Sequence, residues 1–142
     1  FSIYCTLNLR KNKMNEKINY WLELAQYDLD TAKAMLDTKR YLYVGFMCHQ
    51  VIEKTLKAII TKNNIDTLPP KIHHLVRLAE KANIFNDLND ENKMILFSLN
   101  PLNVEARYPS YKDSIYKALD DKNCNKIYKD TRSLFQCLKK ML

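Results

Sequence analysis

The sequence is poor in turn-forming residues, with one glycine and four prolines in 142 residues. An all-β sandwich or barrel needs a turn every several residues, so this scarcity argues against both architectures. No stretch approaches the roughly 18 consecutive apolar residues of a membrane-spanning helix, so we expect no transmembrane segment. The length is that of one domain with a core of its own.

Cysteine is also sparse, and its four copies lie far apart. They are Cys5, Cys48, Cys124 and Cys137. No C-x-x-C pair occurs and the three histidines lack zinc-finger spacing, so we expect neither a structural disulfide nor a zinc site. Cys48 and Cys137 stand among apolar residues and are interpreted as small core groups. The pattern indicates a reducing cytoplasm, and no metal or cofactor is expected.

The formal net charge is +7, and two interpretations of it are open. A basic surface attracts RNA, nucleotides or an acidic partner. The alternative is compositional, because most of the excess is lysine and the chain is rich in lysine, asparagine and isoleucine, as in proteins from AT-rich genomes. The basic residues are scattered, and no run of five or more occurs.

Residues 1–13 differ from the rest of the chain. They begin with a short apolar stretch and end in basic residues, which is the reverse of the order in a secretory signal. A clean helical pattern starts directly after Met14. We therefore divide the chain into an extension at 1–13 and one domain at 14–142. The extension is interpreted as an addition upstream of a natural start at Met14, or as a flexible arm that packs on a neighbour.

Apolar residues of the domain recur at helical spacing. The spacing predicts helices at about 15–38, 41–63, 73–82, 89–102 and 123–141. Loops are expected at Ile65–Lys71, which contains a proline pair, and at Asn103–Tyr111, followed by a helical turn at Lys112–Leu119. The predicted fold class is all-α, an antiparallel up-and-down bundle of four main helices with short accessory helices.

The second predicted helix carries a polar stripe, although most of its circumference is apolar. His49, Glu53 and Lys57 follow one another at i, i+4 and i+8. On a helix surrounded by other helices, such a stripe must be paired, solvated at one edge or functional. A site that holds a phosphate and an internal Glu–Lys ion pair beside a hydrogen-bonded histidine are both compatible with it.

Four segments resemble the HEPN domain family, in the order found there. Trp21–Ala34 resembles the opening helix of the family, and Gln50–Ala58 is similar to its second-helix signature. Pro70–Leu75 resembles the beginning of its short helix, and Ala106–Pro109 resembles a loop of one prokaryotic subgroup. The resemblance covers about residues 15–142.

This resemblance implies a cytoplasmic, prokaryotic helical bundle that forms a homodimer. Family members are often encoded beside a minimal nucleotidyltransferase, and many such pairs behave as toxin and antitoxin. Many members are metal-independent ribonucleases, whereas others are thought to bind nucleotides. The implied partners are therefore a second copy of the chain, a nucleotidyltransferase protein, and a nucleotide or RNA, with no membrane.

The ribonuclease members carry an arginine and, after four to six intervening residues, a histidine. Histidine transfers protons near neutral pH, and arginine stabilises the charge of a phosphorane. Arg107 is the candidate here, but positions 112–114, where the histidine would stand, hold Lys, Asp and Ser. Every histidine lies at or before His74. The usual motif is therefore lacking, and an enzyme is not favoured, with ribonuclease the activity if there is one.

Seven residues form the candidate site for a nucleotide or phosphate. They are His49, Glu53, Lys57, His73, Arg107, Tyr108 and Tyr111. Arginine can grip a phosphate, tyrosine can stack on a base, and the start of a helix can contact an anion. The alternatives are structural: Arg107 pairs with Glu53, Tyr108 plugs the end of the bundle, and His73 packs its loop. No catalytic residue is assigned.

Three functions are open on these grounds. The first is a HEPN protein, nucleotide- or RNA-associated, that acts with a minimal nucleotidyltransferase in a toxin–antitoxin-like pair. The second is a metal-independent ribonuclease that uses Arg107 with His49 or His73, brought close by folding. The third is a non-catalytic dimerisation module, which is favoured if the polar stripe is fully paired and no pocket exists.

Overall fold

Helices make up the regular secondary structure of the part of the chain that the structure describes. The computed structural model describes residues 3–105 and 119–142, and no β-strand occurs within these two ranges. The helices are α1 (Ile3–Asp37), α2 (Tyr41–Asn63), α3 (Leu75–Lys81), α4 (Asp90–Leu99), α5 (Leu102–Glu105) and α6 (Asp121–Lys139), with one turn of 3-10 helix at Phe85–Asp87. The all-α prediction is confirmed. The count of four antiparallel main helices stays a prediction.

A three-residue turn joins α1 to α2. Lys39 has a left-handed φ of 59°. The N–H groups of Lys39 and Arg40 donate to the carbonyls of Leu36 and Met35, at 3.1 and 2.8 Å. This is a Schellman motif, which satisfies the last carbonyls of α1 and reverses the chain. Because the turn is short and the two helices pack side by side, α2 runs antiparallel to α1.

The predicted range of the second helix, Tyr41–Asn63, is confirmed, and this helix is the centre of the fold. It contacts each of the other five described helices. Val51, Ile52 and Leu56 are fully buried along it. The one glycine of the chain, Gly45, faces α5, and a Cβ at this position would stand 3.1 Å from Leu102 Cδ1. The missing side chain therefore lets α5 approach closely.

The last helix, α6, runs parallel to α2. At one end Cys124 Sγ lies 3.8 Å from the Tyr41 carbonyl, and at the other Lys62 Nζ donates to the Leu142 carbonyl at 2.8 Å. The predicted apolar stripe of this helix packs into the core. Its buried members are Thr131, Leu134, Phe135 and Leu138, and its half-buried members are Ile127 and Met141.

α1 begins earlier than predicted. The expected start was about Asn15, but the helix begins at Ile3, because no glycine or proline interrupts residues 3–14. The side chains of residues 3–13 are exposed within this chain. The division between residues 13 and 14 has no helix boundary to mark it and stays a prediction.

α4 differs from the prediction at both ends. Its N-cap is Asn89 rather than the adjacent Asp90, because the Asn89 side chain accepts a hydrogen bond from the N–H three residues later at 2.8 Å. The helix ends at Leu99 rather than near residue 102, because Pro101 has no N–H to continue the hydrogen-bond pattern. Leu102–Glu105 form the separate helix α5, although Leu102 was expected to end the preceding helix and residues 103–105 to belong to a loop.

α6 begins two residues before the expected Asn123. Asp120 is its N-cap, and Asp120 Oδ1 accepts a hydrogen bond from the Asn123 N–H at 2.8 Å. The predicted helical turn at 112–119 lies outside the described residues as far as residue 118.

Candidate functional site

The polar stripe of α2 is buried. His49 is 0% exposed, Glu53 4% and Lys57 8%. Their spacing of one helical turn places them on one face, as predicted. A carboxylate and an ammonium removed from water are costly unless they are paired, so their partners determine what the stripe does.

Glu53 is the centre of a group that we call the Glu53 cluster, made of His49, Glu53, Lys57 and His73. Glu53 Oε2 accepts a hydrogen bond from Lys57 Nζ at 3.2 Å. Glu53 Oε1 lies 2.8 Å from His73 Nδ1 and 3.8 Å from His49 Nδ1. Both carboxylate oxygens have nitrogen partners, so the charge of Glu53 is compensated within the fold. Four of the seven predicted site residues therefore come together.

His73 reaches Glu53 from the loop that follows α2. Residues 64–74 are not helical, as expected for a stretch that contains a proline pair. An ionised carboxylate only accepts hydrogen bonds, so Nδ1 of His73 carries the proton in this pair. The His73 side chain is 51% exposed, which makes it the solvent-facing member of the cluster. One oriented imidazole at a surface suits proton transfer or contact with a phosphate.

The adjacent histidine, His74, has a different role. Its Nδ1 accepts a hydrogen bond from the Arg77 N–H at 3.3 Å, and it is the N-cap of α3. α3 therefore begins at Leu75, and the predicted start at His73 is wrong. The Leu75 N–H donates to Asn100 Oδ1 at 2.9 Å, which fastens the start of α3 to the end of α4. Of the two histidines, one caps a helix and the other belongs to the cluster.

Lys57 connects the cluster to α1. Its Nζ lies 5.8 Å from the centroid of the Trp21 ring, within the range of a cation–π contact. Sequence reasoning assigned Trp21 to the apolar face of α1 and missed this contact. The available signal was weak: a tryptophan on one helix and a polar stripe on the helix expected to pack against it.

Two further polar contacts border the cluster. Lys54 of α2 forms an ion pair with Asp28 of α1. Gln50 Nε2 donates to Asn103 Oδ1 of α5 at 3.2 Å. These side chains fasten α2 to α1 and to α5.

The remaining predicted site residues, Arg107, Tyr108 and Tyr111, lie outside the described residues. The approach of Arg107 to Glu53 therefore stays a prediction.

The buried cysteines are core groups rather than reactive thiols. Burial raises the pKa of Cys48 to about 12, and burial with the nearby Asp120 and Asp121 raises the pKa of Cys124 to about 11. The thiolate is the nucleophilic and metal-binding form, and both thiols keep their protons at neutral pH. The prediction of a small core group is confirmed for Cys48, whereas Cys137 is only half-buried.

Within residues 3–105 and 119–142, no group of three or more His, Cys, Asp or Glu side chains is arranged to hold a metal ion. None of the helices in these ranges is long and apolar enough to cross a membrane.

Comparison with known proteins agrees with the resemblance. The family model described as HEPN domain matches residues 18–141. A solved structure, TT1696 from Thermus thermophilus, is 17% identical in sequence and superposes with a TM-score of 0.76. The alignment covers 89% of this chain and 98% of that chain. At this identity the likeness shows a shared fold. A search of curated proteins finds no match.

Proposed function

Because this chain belongs to the HEPN domain family, we propose that it is a nucleotide- or RNA-associated binding protein that acts with a minimal nucleotidyltransferase. The pair functions as a toxin and antitoxin in the cytoplasm of a prokaryote, and this chain acts as a homodimer. The observation that carries the proposal is the Glu53 cluster, in which His73 faces solvent while the other three members are buried.

The charges of the cluster suit an anionic ligand. Glu53 and Lys57 compensate each other at 3.2 Å, so the negative charge of Glu53 is offset and does not repel an anion at His73. A protonated imidazole has two donors. In His73, Nδ1 donates to Glu53, which holds the ring in place, and Nε2 is directed away from this bond and can donate to a phosphate oxygen.

The sequence supports binding rather than cleavage. Metal-independent cleavage of RNA requires proton transfer and stabilisation of the charge that develops on the phosphorane. No histidine occurs after position 74, so the histidine that normally follows the motif arginine is missing from this chain. The Glu53 cluster supplies an imidazole but no arginine.

Calorimetry with nucleoside triphosphates tests the binding role, and co-purification with the nucleotidyltransferase encoded beside this chain tests the partner. We expect saturable binding that weakens roughly tenfold in His73→Gln, since one charge-assisted hydrogen bond is lost. The matched control is His74→Asn, which changes the neighbouring histidine but keeps a side chain that can cap α3. Absence of both binding and co-purification would contradict the proposal.

The Glu53–His73 geometry also favours a second function, a metal-independent ribonuclease. A carboxylate 2.8 Å from Nδ1 orients the imidazole and leaves Nε2 to act as a general base. Arg107 would stabilise the phosphorane in this reaction. The purified protein should then cleave RNA in the presence of a chelator, Arg107→Ala and His73→Gln should each abolish cleavage, and His74→Asn should retain it. Intact RNA after incubation with the wild-type protein would exclude this function.

A further inference from the structure

A cavity of about 270 Å³ opens between α1, α2 and the loop after α2. None of the seven predicted site residues lines it. Its walls are mainly apolar, and Leu68, at the rim, is 80% exposed. An engineered apolar cavity of about 150 Å³ binds benzene, so this volume accommodates a ring system of one or two fused rings.

Two aromatic side chains of α1 form one wall of the cavity. The rings of Tyr20 and Trp21 meet edge to face, with centroids 5.6 Å apart and planes at 71°. Trp21 is half-buried and is held by the contact of its ring with Lys57. An aromatic wall favours a flat aromatic ligand, because ring faces and edges attract each other in offset and T-shaped arrangements.

Two of the polar side chains that line the cavity, Thr61 and Glu16, offer hydrogen-bond acceptors. Thr61 is 1% exposed, and its hydroxyl donates its proton to the Lys57 carbonyl at 2.8 Å, so the oxygen is left to accept. The Glu16 carboxylate can only accept, and in the described parts of the chain it has no ion-pair partner. Lys17 and Trp21 also line the cavity and carry N–H donors, and Lys17 Nζ already donates to the Ile65 carbonyl at 3.2 Å.

We propose that this cavity binds a flat aromatic heterocycle that carries N–H donors, with its ring against Tyr20 and Trp21 and an N–H directed at Thr61 Oγ1. An aminopurine base and an indole both have this chemistry. The proposal goes beyond the function proposed above, because it concerns a different site and does not depend on the nucleotidyltransferase partner.

Trp21 allows a direct test, because it is the only tryptophan in the chain. In each of two matched pairs of probes, only one compound carries the N–H donor. Adenosine carries it and purine riboside lacks it, and indole carries it and benzothiophene lacks it. Fluorescence excited at the red edge of tryptophan absorption reports on the nucleosides, which do not absorb there, and calorimetry reports on all four compounds. We expect the N–H member of at least one pair to bind roughly tenfold more tightly than its partner.

Two threonine variants show whether the acceptor in the cavity is responsible. Thr61→Val removes the hydroxyl at nearly constant shape and should reduce the preference for the N–H compound to less than about twofold. The control is Thr55→Val on the same helix, because Thr55 is also buried and donates to the carbonyl four residues earlier, at 2.7 Å, but does not line the cavity. This variant should keep the preference of the wild type.

Each outcome decides the proposal. Tighter binding of adenosine than of purine riboside supports it and identifies a purine base, whereas selective binding of indole identifies an indole-type ligand. Equal binding within both pairs would show a cavity that selects only for apolar rings, and would overturn the proposal. No binding of any probe by either method overturns it as well, as does an equal loss in Thr61→Val and Thr55→Val. None of these results depends on whether the chain co-purifies with a nucleotidyltransferase.

Discussion

The Glu53–Lys57 pair can be tested by removing each partner in turn. In Glu53→Gln, the Lys57 ammonium, on a side chain that is 10% exposed, loses its carboxylate. Breaking a buried ion pair costs about 3–5 kcal/mol, because the remaining charge stays buried without compensation. The ring of Trp21, 5.8 Å from Lys57 Nζ, offsets roughly 1 kcal/mol of this. We therefore expect Glu53→Gln to lower the free energy of unfolding by about 3 kcal/mol.

The double variant distinguishes pairing from simple loss of packing. Lys57→Met leaves Glu53 with His73, so its cost should be smaller, about 2 kcal/mol. With both charges removed, no charge of the pair remains uncompensated, and the double variant should lose about 3 kcal/mol rather than the sum of the two single losses. The corresponding coupling energy is about 2 kcal/mol. The measurement is equilibrium urea denaturation, read as a shift of the midpoint at constant slope.

A surface pair provides the matched control. Lys33 and Asp37 have the same i, i+4 spacing, but their side chains are 52% and 58% exposed. Solvent screens such a pair, so Lys33→Met and Asp37→Asn should show no measurable coupling. A coupling energy for Glu53–Lys57 no larger than that for the surface pair would refute the reasoning. It would mean that burial does not strengthen the interaction between the two charges.

Three further predictions concern stability and thiol chemistry. Lys39→Gly should raise the free energy of unfolding by about 1 kcal/mol, because glycine adopts a φ of 59° without strain, and unchanged stability would contradict this. Phe135→Ala, at 1% exposure, should cost about 3–5 kcal/mol, while Phe97→Ala, at 50% exposure, should cost less than about 1 kcal/mol in the same denaturation experiment. Iodoacetamide at neutral pH should label the exposed Cys5 and leave Cys48 unmodified until the protein unfolds. Burial raises the pKa of Cys48 from 9.0 to about 12. The contribution of the protonated Cys48 thiol to the free energy of unfolding is therefore complete below pH 9 and is lost as the pH rises towards 12.

Features determined by local sequence were predictable. The range of α2 follows from its apolar pattern, which ends at Asn63 before a polar stretch and a proline pair. The common face of His49, Glu53 and Lys57 follows from helix geometry alone. The predicted end of the third helix near residue 82 is close to the observed end at Lys81, and Asn83 just after it has a left-handed φ of 60°, which asparagine tolerates better than most residues.

Features determined by the path of the chain were not predictable. The sequence grouped Glu53 and His73 in one candidate site, but it did not indicate their direct contact of 2.8 Å between Oε1 and Nδ1, across 20 residues of the chain. That contact depends on how the loop after α2 returns across the helix, which no local pattern specifies. The exact starts of α3 and α4 were not predictable for a local reason. Two adjacent residues at each start were able to cap the helix, and the sequence did not favour one of them.

The position of α2 determines how parts of the molecule can open independently. Since α2 contacts each of the other described helices, no outer helix can detach without exposing part of its surface, and α2 itself can be exposed completely only when all of them separate. Amide protons in the middle of α2 should therefore exchange with solvent only through global unfolding, whereas those of α3 and α4 can exchange through local openings. The most slowly exchanging amides of α2 would then report the global free energy of unfolding of the domain.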